Sequence, residues 1–303
     1  MAAAATAAAA ADGGALGVNL AVTAVLIACV MAVTFTLAQR LGRHSVIDTV
    51  WGLGFALVAL CTLGLSEKLM PTSIGSAVRI SDPAGPGDLT GRILITALTV
   101  VWGVRLAVHI GLRSRGHGED PRYVQLLAGG SGNPAVRALK LVYLPQAAVL
   151  WFVSLPIQVG QYLPPTSTSW AATRYTLGAL LWGIGFWFET IGDYQLARFR
   201  TRRLAPGEPR GVLDHGLWRY TRHPNYFGDA CVWWGLYLLA CGGWPGAITI
   251  LSPMLMTYLL AGKTGKPLME AHLAGSRPGY AEYVRRTSPF LPRRPKPART
   301  ATR

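Results

Sequence analysis

The chain has 303 residues, of which 51% are hydrophobic and only 14% charged, and it carries a formal charge of +15. So apolar a composition, so poor in charge, excludes a disordered protein and an ordinary soluble domain and places the chain among integral membrane proteins. The basic residues fall between apolar stretches rather than along one helical face, which removes nucleic acid as a partner and leaves the lipid bilayer.

From the N-terminus, residues 1–15 are Ala-rich with no basic opening, so a cleaved secretory signal is not expected and the segment reads as a disordered tail. A bilayer core takes about 20 mostly apolar residues per helix. That ruler predicts seven spans: Leu16 to Ala38, Val46 to Leu65, Arg92 to Leu112, Leu139 to Gly160, Tyr175 to Phe199, Phe227 to Gly242 and Pro245 to Gly262. The Pro- and Gly-marked stretches "SDPAGPGD" (81–88) and "LPPTSTS" (163–169) are expected as external loops, and residues 293–303 as a disordered basic tail. The expected fold class is an all-α polytopic membrane bundle forming one integral-membrane domain over residues 16–292.

Basic residues are retained on the cytoplasmic side of a membrane. With the N-terminus outside, 24 of the 29 Lys and Arg residues fall on cytoplasmic segments, four (Lys68, Arg79, Arg92 and Arg174) fall opposite, and Arg105 lies within a span. This predicts an external N-terminus and a cytoplasmic C-terminus. Cys29, Cys61, Cys231 and Cys241 all sit in apolar segments without metal-ligand spacing, and no metal site is expected.

An ionisable side chain inside a span costs on the order of 2.5–3.5 kcal/mol, so each needs a partner or a function. Asp48 lies in "SVIDTVWGLGF"; Arg105 and His109 share a helical face, as do Glu189 and Asp193; Asp229 follows "RYTRHPNYFGD". One reading pairs them structurally, Arg105 with Asp48 for instance; the other gathers them around a shared cavity near the cytoplasmic side. The loop "RSRGHGEDPRY" and the stretch "LWRYTRHPNYFGDACVWWG" add guanidinium, imidazole, amide and phenol groups. Guanidiniums bind phosphates, Asn and Asp hydrogen-bond ribose or carboxamide, and aromatic faces stack on flat rings, so a nucleotide cofactor would use all three. Without strands or a GxGxxG turn, that cofactor is not held by a Rossmann domain.

"GLWRYTRHPNYFGDACVWWG" resembles the C-terminal signature of the steroid 5-alpha-reductase superfamily, and most closely its DUF1295 branch; "GHGEDPRY", "FETIGDYQLARF", "SVIDTVWGLGF" and the stretch from Ser252 to Pro292 match as well. The resemblance implies an NADPH pocket built by the C-terminal half, about residues 175–292, and reduction of a conjugated carbon–carbon double bond in an apolar substrate such as a lipid, steroid or polyprenoid. Asp193, His223, Asn225, Tyr226 and Asp229 match cofactor positions of the family, with Arg222, Glu270, Arg277, Tyr280 and Tyr283 as additions. The Glu and Tyr that steroid reductases carry in their early helices have no clear copy here. Asp48, with Arg105 as electrostatic partner, is the nearest candidate for the catalytic acid, and Tyr123 the next. Two alternatives stay open: an S-adenosylmethionine-dependent methyltransferase of the isoprenylcysteine type, and a non-catalytic sterol- or lipid-binding protein. Substrate identity and oligomeric state are open too.

Overall fold

Long apolar runs with few breakers fold as helices because, away from water, each backbone N–H and C=O finds its partner within the same segment. The computed structural model describes residues 2–69, 89–129, 132–163, 168–203, 211–263, 270 and 277–297. Among them the fold is all-helical, no β-strand forms, and one isolated bridge joins Thr221 to Ser288. The expected loop at 81–88 lies outside the described residues, as does most of the one at 163–169.

The helices are α1 (Ala2–Leu41), α2 (Val46–Leu69), α3 (Leu89–Ser114), the short α4 (Pro121–Leu127) and α5 (Pro134–Ala138), α6 (Leu144–Val153), α7 (Leu155–Gly160), α8 (Thr168–Thr201), α9 (Pro224–Ala240), α10 (Trp244–Ile248), α11 (Leu251–Tyr258) and α12 (Tyr280–Arg286). Among the described residues five stretches are long and apolar enough to cross a membrane: Gly14–Leu41, Val46–Lys68, Leu89–Ser114, Pro134–Gly160 and Trp244–Gly262. The Ala-rich start, expected as a disordered tail, is helical from Ala2, in keeping with alanine's high helix propensity. The basic tail also begins differently from expectation. Arg293 N–H donates to Tyr220 O at 3.0 Å and Lys296 N–H to Arg286 O at 3.0 Å.

The chain divides into two compact units. The first comprises Met1–Thr176 and Leu236–Ser252. Its centre is the close pair α2 and α3, where a Cβ added to Gly52 would lie 2.2 Å from Gly103 O, so only hydrogen on both Cα atoms permits the approach. Phe55 and Trp102 fill the space beside that contact, their rings 5.7 Å apart. A buried amide binds α7 to α1: Gln158 Oε1 accepts from Asn19 Nδ2 at 3.3 Å and from Thr23 Oγ1 at 2.6 Å. The outward residues of α1, among them Val25 and Val33, are apolar and exposed, as a lipid-facing surface requires.

The second unit comprises Leu177–Gly235 and Pro253–Arg303. Within it the later part of α8 packs antiparallel to the start of α9 along glycines spaced by seven: Gly178, Gly185 and Gly192 on one helix, Gly228 and Gly235 on the other. A Cβ on Gly185 would come 2.5 Å from Gly228 O, and one on Gly228 would come 2.5 Å from Glu189 N. A seven-residue period keeps one seam facing its partner, and hydrogen-only positions along it let the two backbones touch.

Gly228→Ala is therefore expected to destabilise the protein by about 1–3 kcal/mol through overpacking. Gly183→Ala, on the same helix but with open space around it, is expected to be neutral or stabilising by up to about 1 kcal/mol. Thermal unfolding of the two variants in detergent measures the contrast; equal melting temperatures would contradict the tight seam.

Candidate functional site

In the first unit a polar cluster forms where α2 begins. Ser45 N–H donates to Glu119 Oε1 at 2.9 Å, His44 N–H donates to Glu119 Oε2, and Glu119 also accepts from Asp120 N–H at 2.9 Å. One carboxylate thus closes the entry of α2 and ties the "GHGEDPRY" loop to it. Burial alone would raise the Glu119 carboxyl, but these hydrogen bonds outweigh it and hold it below its ordinary range.

The next residue, Asp120, caps α4 by accepting from Arg122 N–H at 2.9 Å, and it also grips the Arg122 guanidinium through both its oxygens at 3.0 and 2.9 Å. Held in this way, Arg122 reaches Asp48 Oδ2 at 2.8 Å, and Tyr123 Oη donates to Asp48 Oδ1 at 2.5 Å. Gln146 Nε2 donates to the same phenol oxygen at 3.4 Å, and Trp51 Nε1 donates to Gln146 Oε1. Tyr123 is buried; Asp48 is about one-fifth exposed (21%) and Arg122 about half (46%). Burial, with the charge of Asp48 added to it, pushes the Tyr123 hydroxyl far up, so it keeps its proton at any physiological pH.

Two of the expected catalytic residues, Asp48 and Tyr123, are thus brought into direct contact. The guanidinium paired with Asp48 is that of Arg122, while Arg105 lies half-buried along α3, one turn before His109. Glu119 and Gln146 are not among the candidate residues expected from the sequence. Gln146 carried a signal, an amide in an otherwise apolar run; Glu119 carried only its place in a motif.

The second unit holds the other cluster. Gly192 lets the start of α9 approach closely, since a Cβ there would lie 3.2 Å from Asn225 N, and so Asn225 Nδ2 donates to Asp193 Oδ1 at 3.1 Å. Asp229 stands one turn beyond Asn225 on the same helical face, and Glu189 one turn before Asp193. Three residues before Asn225, Arg222 uses all three guanidinium nitrogens internally. Its Nε and one terminal nitrogen hold Glu270 at 2.9 and 3.2 Å, and the other terminal nitrogen donates to Val284 O at 2.9 Å and Thr287 O at 3.0 Å.

His223 Nε2 lies 3.0 Å from Glu270 Oε1, and its ring stacks on Tyr226 at 5.2 Å with 3° between the planes. Burial would raise the Glu270 carboxyl, but the hydrogen bonds from His223 and Arg222 and the guanidinium charge bring it down to about 2. An ionised Glu270 can only accept, so His223 Nε2 carries the proton of that bond. Tyr283 Oη donates to Trp218 O at 2.7 Å, Tyr280 is buried beside it with ring centroids 6.0 Å apart, and Arg277 is half-buried. Burial pushes the Tyr280 hydroxyl up to about 12.

A dinucleotide needs partners for its ribose hydroxyls, its carboxamide and its phosphates. The Asp193–Asn225 pair, with Asp229 one turn on, supplies the carboxylates and amide that ribose hydroxyls and a carboxamide need, so this half fits. Arg222 holds the local fold, so the phosphates of a dinucleotide would have to meet other cations of the unit, such as Arg277 and the exposed Arg198 and Arg219. Among the described residues no three His, Cys, Asp or Glu side chains are grouped to hold a metal ion.

In comparison with known proteins the chain matches the family described as "Protein of unknown function (DUF1295)" over residues 34–287. No curated protein and no solved structure matches the chain.

Glu270→Gln is expected to destabilise the protein at pH 7 by about 3 kcal/mol, the cost of leaving the buried Arg222 charge without its partner. Because the native pKa is depressed, the ionised carboxylate contributes fully above about pH 4.5 and its contribution is lost as pH falls toward about 2. The gap in melting temperature between parent and variant is expected to stay constant from pH 5 to 8 and to close below about pH 4. A gap that instead opened between pH 6 and 8 would contradict this assignment.

Proposed function

The chain belongs to the DUF1295 family, and from that premise we propose that it is a membrane-bound, NADPH-dependent reductase of a carbon–carbon double bond conjugated to a carbonyl in a lipid or steroid-like substrate. The observation that carries this reading is the Tyr123–Asp48 hydrogen bond of 2.5 Å, a protonated phenol against a carboxylate. Such a pair suits the polarising of a carbonyl oxygen, the role of the Glu and Tyr of steroid reductases that this sequence resembles.

NADPH, when bound, supplies a hydride to the electron-poor alkene carbon. The chain's own residues answer the charge that develops on the carbonyl oxygen. Tyr123 can turn its O–H from Asp48 to that oxygen without leaving the carboxylate uncompensated, because Arg122 stays on Asp48. In this arrangement Tyr123 is the hydrogen-bond or proton donor and Asp48 the group that orients it, which reverses the order in which the sequence suggests them. Gln146 and Trp51 fix the far side of the phenol and limit its swing. Burial of Tyr123 strengthens its bond to a developing enolate, since little water competes.

For the cofactor, Asp193, Asn225 and Asp229 would hold the ribose and carboxamide groups, Tyr226 would offer a ring face, and Arg277 would meet the phosphates. His223, Arg222, Glu270, Tyr280 and Tyr283 would act by holding that wall in place. The topology we propose has seven spans, with α8 and α9 added to the five apolar stretches. The N-terminus is outside and the cofactor side faces the cytoplasm of a bacterial cell membrane; the 24-to-4 distribution of basic residues supports this.

The test follows NADPH oxidation by purified protein with enone lipids, alongside lipid mass spectrometry of cells with and without the gene. The unsaturated member of a pair differing by two hydrogens is expected to accumulate on deletion. Tyr123→Phe is expected to lower kcat about a hundredfold or more with NADPH binding unchanged, and Asn225→Ala to weaken NADPH binding about tenfold. A stability shift with S-adenosylmethionine and none with NADPH would overturn the reading.

A further inference from the structure

At the far end of α2 from Asp48 lies a second buried polar cluster, which the reductase reading does not use. Ser66 is 18 residues beyond Asp48, about 27 Å along a helix that rises 1.5 Å per residue and so nearly a full hydrocarbon thickness away. Three segments of the first unit converge there: the end of α2, the start of α3 and the turn after α7.

The cluster centres on Arg92, which is 1% exposed and reaches from α3 to α2 to donate to Ser66 Oγ at 2.6 Å. From the third segment, Gln161 Nε2 donates to Thr96 Oγ1, one turn along α3 from Arg92, at 3.1 Å. Tyr162 lies within electrostatic range of Arg92 and of Cys61 on α2. Arg174, 6% exposed, approaches the same end: it donates to Leu239 O and, at 3.4 Å, to Tyr175 Oη, it lies 4.6 Å over the Tyr175 ring, and the Tyr175 hydroxyl sits against Gly91, where an added methyl would come within 2.2 Å of it.

Partners are missing in this cluster. Thr62 Oγ1, Arg92 Nε, Gln161 Oε1, Tyr162 Oη and Arg174 Nε are all buried without a hydrogen-bond partner. Among the described residues neither Arg92 nor Arg174 forms an ion pair; the carboxylate that Arg92 feels is that of Glu67, which is exposed. Two buried guanidiniums that each keep an Nε–H without an acceptor are a costly arrangement for a chain to keep empty. Water would supply acceptors but no charge. A carboxylate would supply charge on two coplanar oxygens, which is poorly matched to donors arriving from four segments, Arg174 on α8 being the fourth. A tetrahedral phosphate matches both the charge and the spread of donors, and a hydroxyl on it or on its ester would answer Gln161 Oε1.

We propose that this end of the first unit is a binding site for a phosphate group, held by Arg92 and Arg174 with Tyr162 and Thr62 as neutral donors and Gln161 as acceptor. The group comes either from the headgroup of an anionic phospholipid in the leaflet opposite Asp48 or from free phosphate. Burial pushes the Tyr162 hydroxyl up to about 12, so it stays a donor throughout the physiological range. The site stands independently of the reductase reading.

The experiment uses the full chain in mild detergent. Native mass spectrometry reads co-purified lipid, and melting temperature is followed on adding phosphatidylglycerol, phosphatidylcholine or inorganic phosphate. The expected result is an anionic phospholipid adduct, or a melting shift of several degrees with phosphatidylglycerol or phosphate and little with phosphatidylcholine. A shift with phosphatidylglycerol alone assigns the lipid source; one with inorganic phosphate assigns the free anion.

Arg92→Gln is expected to abolish the shift. Because that variant could fail to fold, Tyr162→Phe is the sharper test: it removes an atom with no partner within the protein. With a ligand in place, Tyr162→Phe retains phosphatidylglycerol or phosphate about tenfold less well, the effect of one ordinary hydrogen bond. A Tyr162→Phe protein at least as stable as the parent, in a preparation showing no adduct and no shift with either probe, would mean that the cluster holds water only and would overturn the proposal.

Discussion

A polar side chain inside a bilayer has no water to fall back on, and this constraint organises the whole molecule. Asp48 at the mouth of α2 is answered by Arg122 and Tyr123, Gln158 between helices by Asn19 and Thr23, and Arg222 by Glu270 and two carbonyls. In each case the answering group comes from a distant part of the chain, so every such pair also locks two segments together. Polar chemistry, sparse in this sequence, therefore does the work of specifying contacts that apolar surfaces, interchangeable with lipid, specify poorly.

Helix positions were largely legible, because apolar length is a direct physical requirement of crossing lipid. The runs predicted at Val46 to Leu65 and Arg92 to Leu112 appear as Val46–Leu69 and Leu89–Ser114. The polar groups at the ends were harder to place. Asp48 announced itself by the cost of burying a carboxylate, yet its partner lies 74 residues on in a loop with several other cations, and nothing in the spacing selects Arg122 over Arg105. Glu119 was illegible for the same reason: a carboxylate that caps a helix 75 residues earlier leaves no local pattern. The glycine seam, absent from the sequence expectations, did leave a pattern, since seven-residue spacing on two neighbouring segments is a signature of close crossing, and it accounts for the meeting of Asn225 with Asp193.

Arg222 shows how residue type and residue role diverge. In sequence it is a guanidinium in the midst of a nucleotide-like motif, which invites a phosphate. In the fold it is the bracket on which Glu270, His223 and the chain near Val284 and Thr287 are hung. A side chain with five N–H donors in a rigid fork suits either task, and the burial of this one decides between them.

The bracket has a bearing on how the molecule is made. Thr221 and Arg222 are joined to Ser288 and Phe290, and Arg222 to carbonyls 62 and 65 residues further on. A chain made from its N-terminus completes α8 and α9 before it reaches these later partners. The seam between the two helices can zip up early, but the polar wall at the head of α9 has to wait until the segment from 284 to 290 has emerged. A nascent chain at that stage holds its arginine unbracketed, and the later segment closes the wall as a latch.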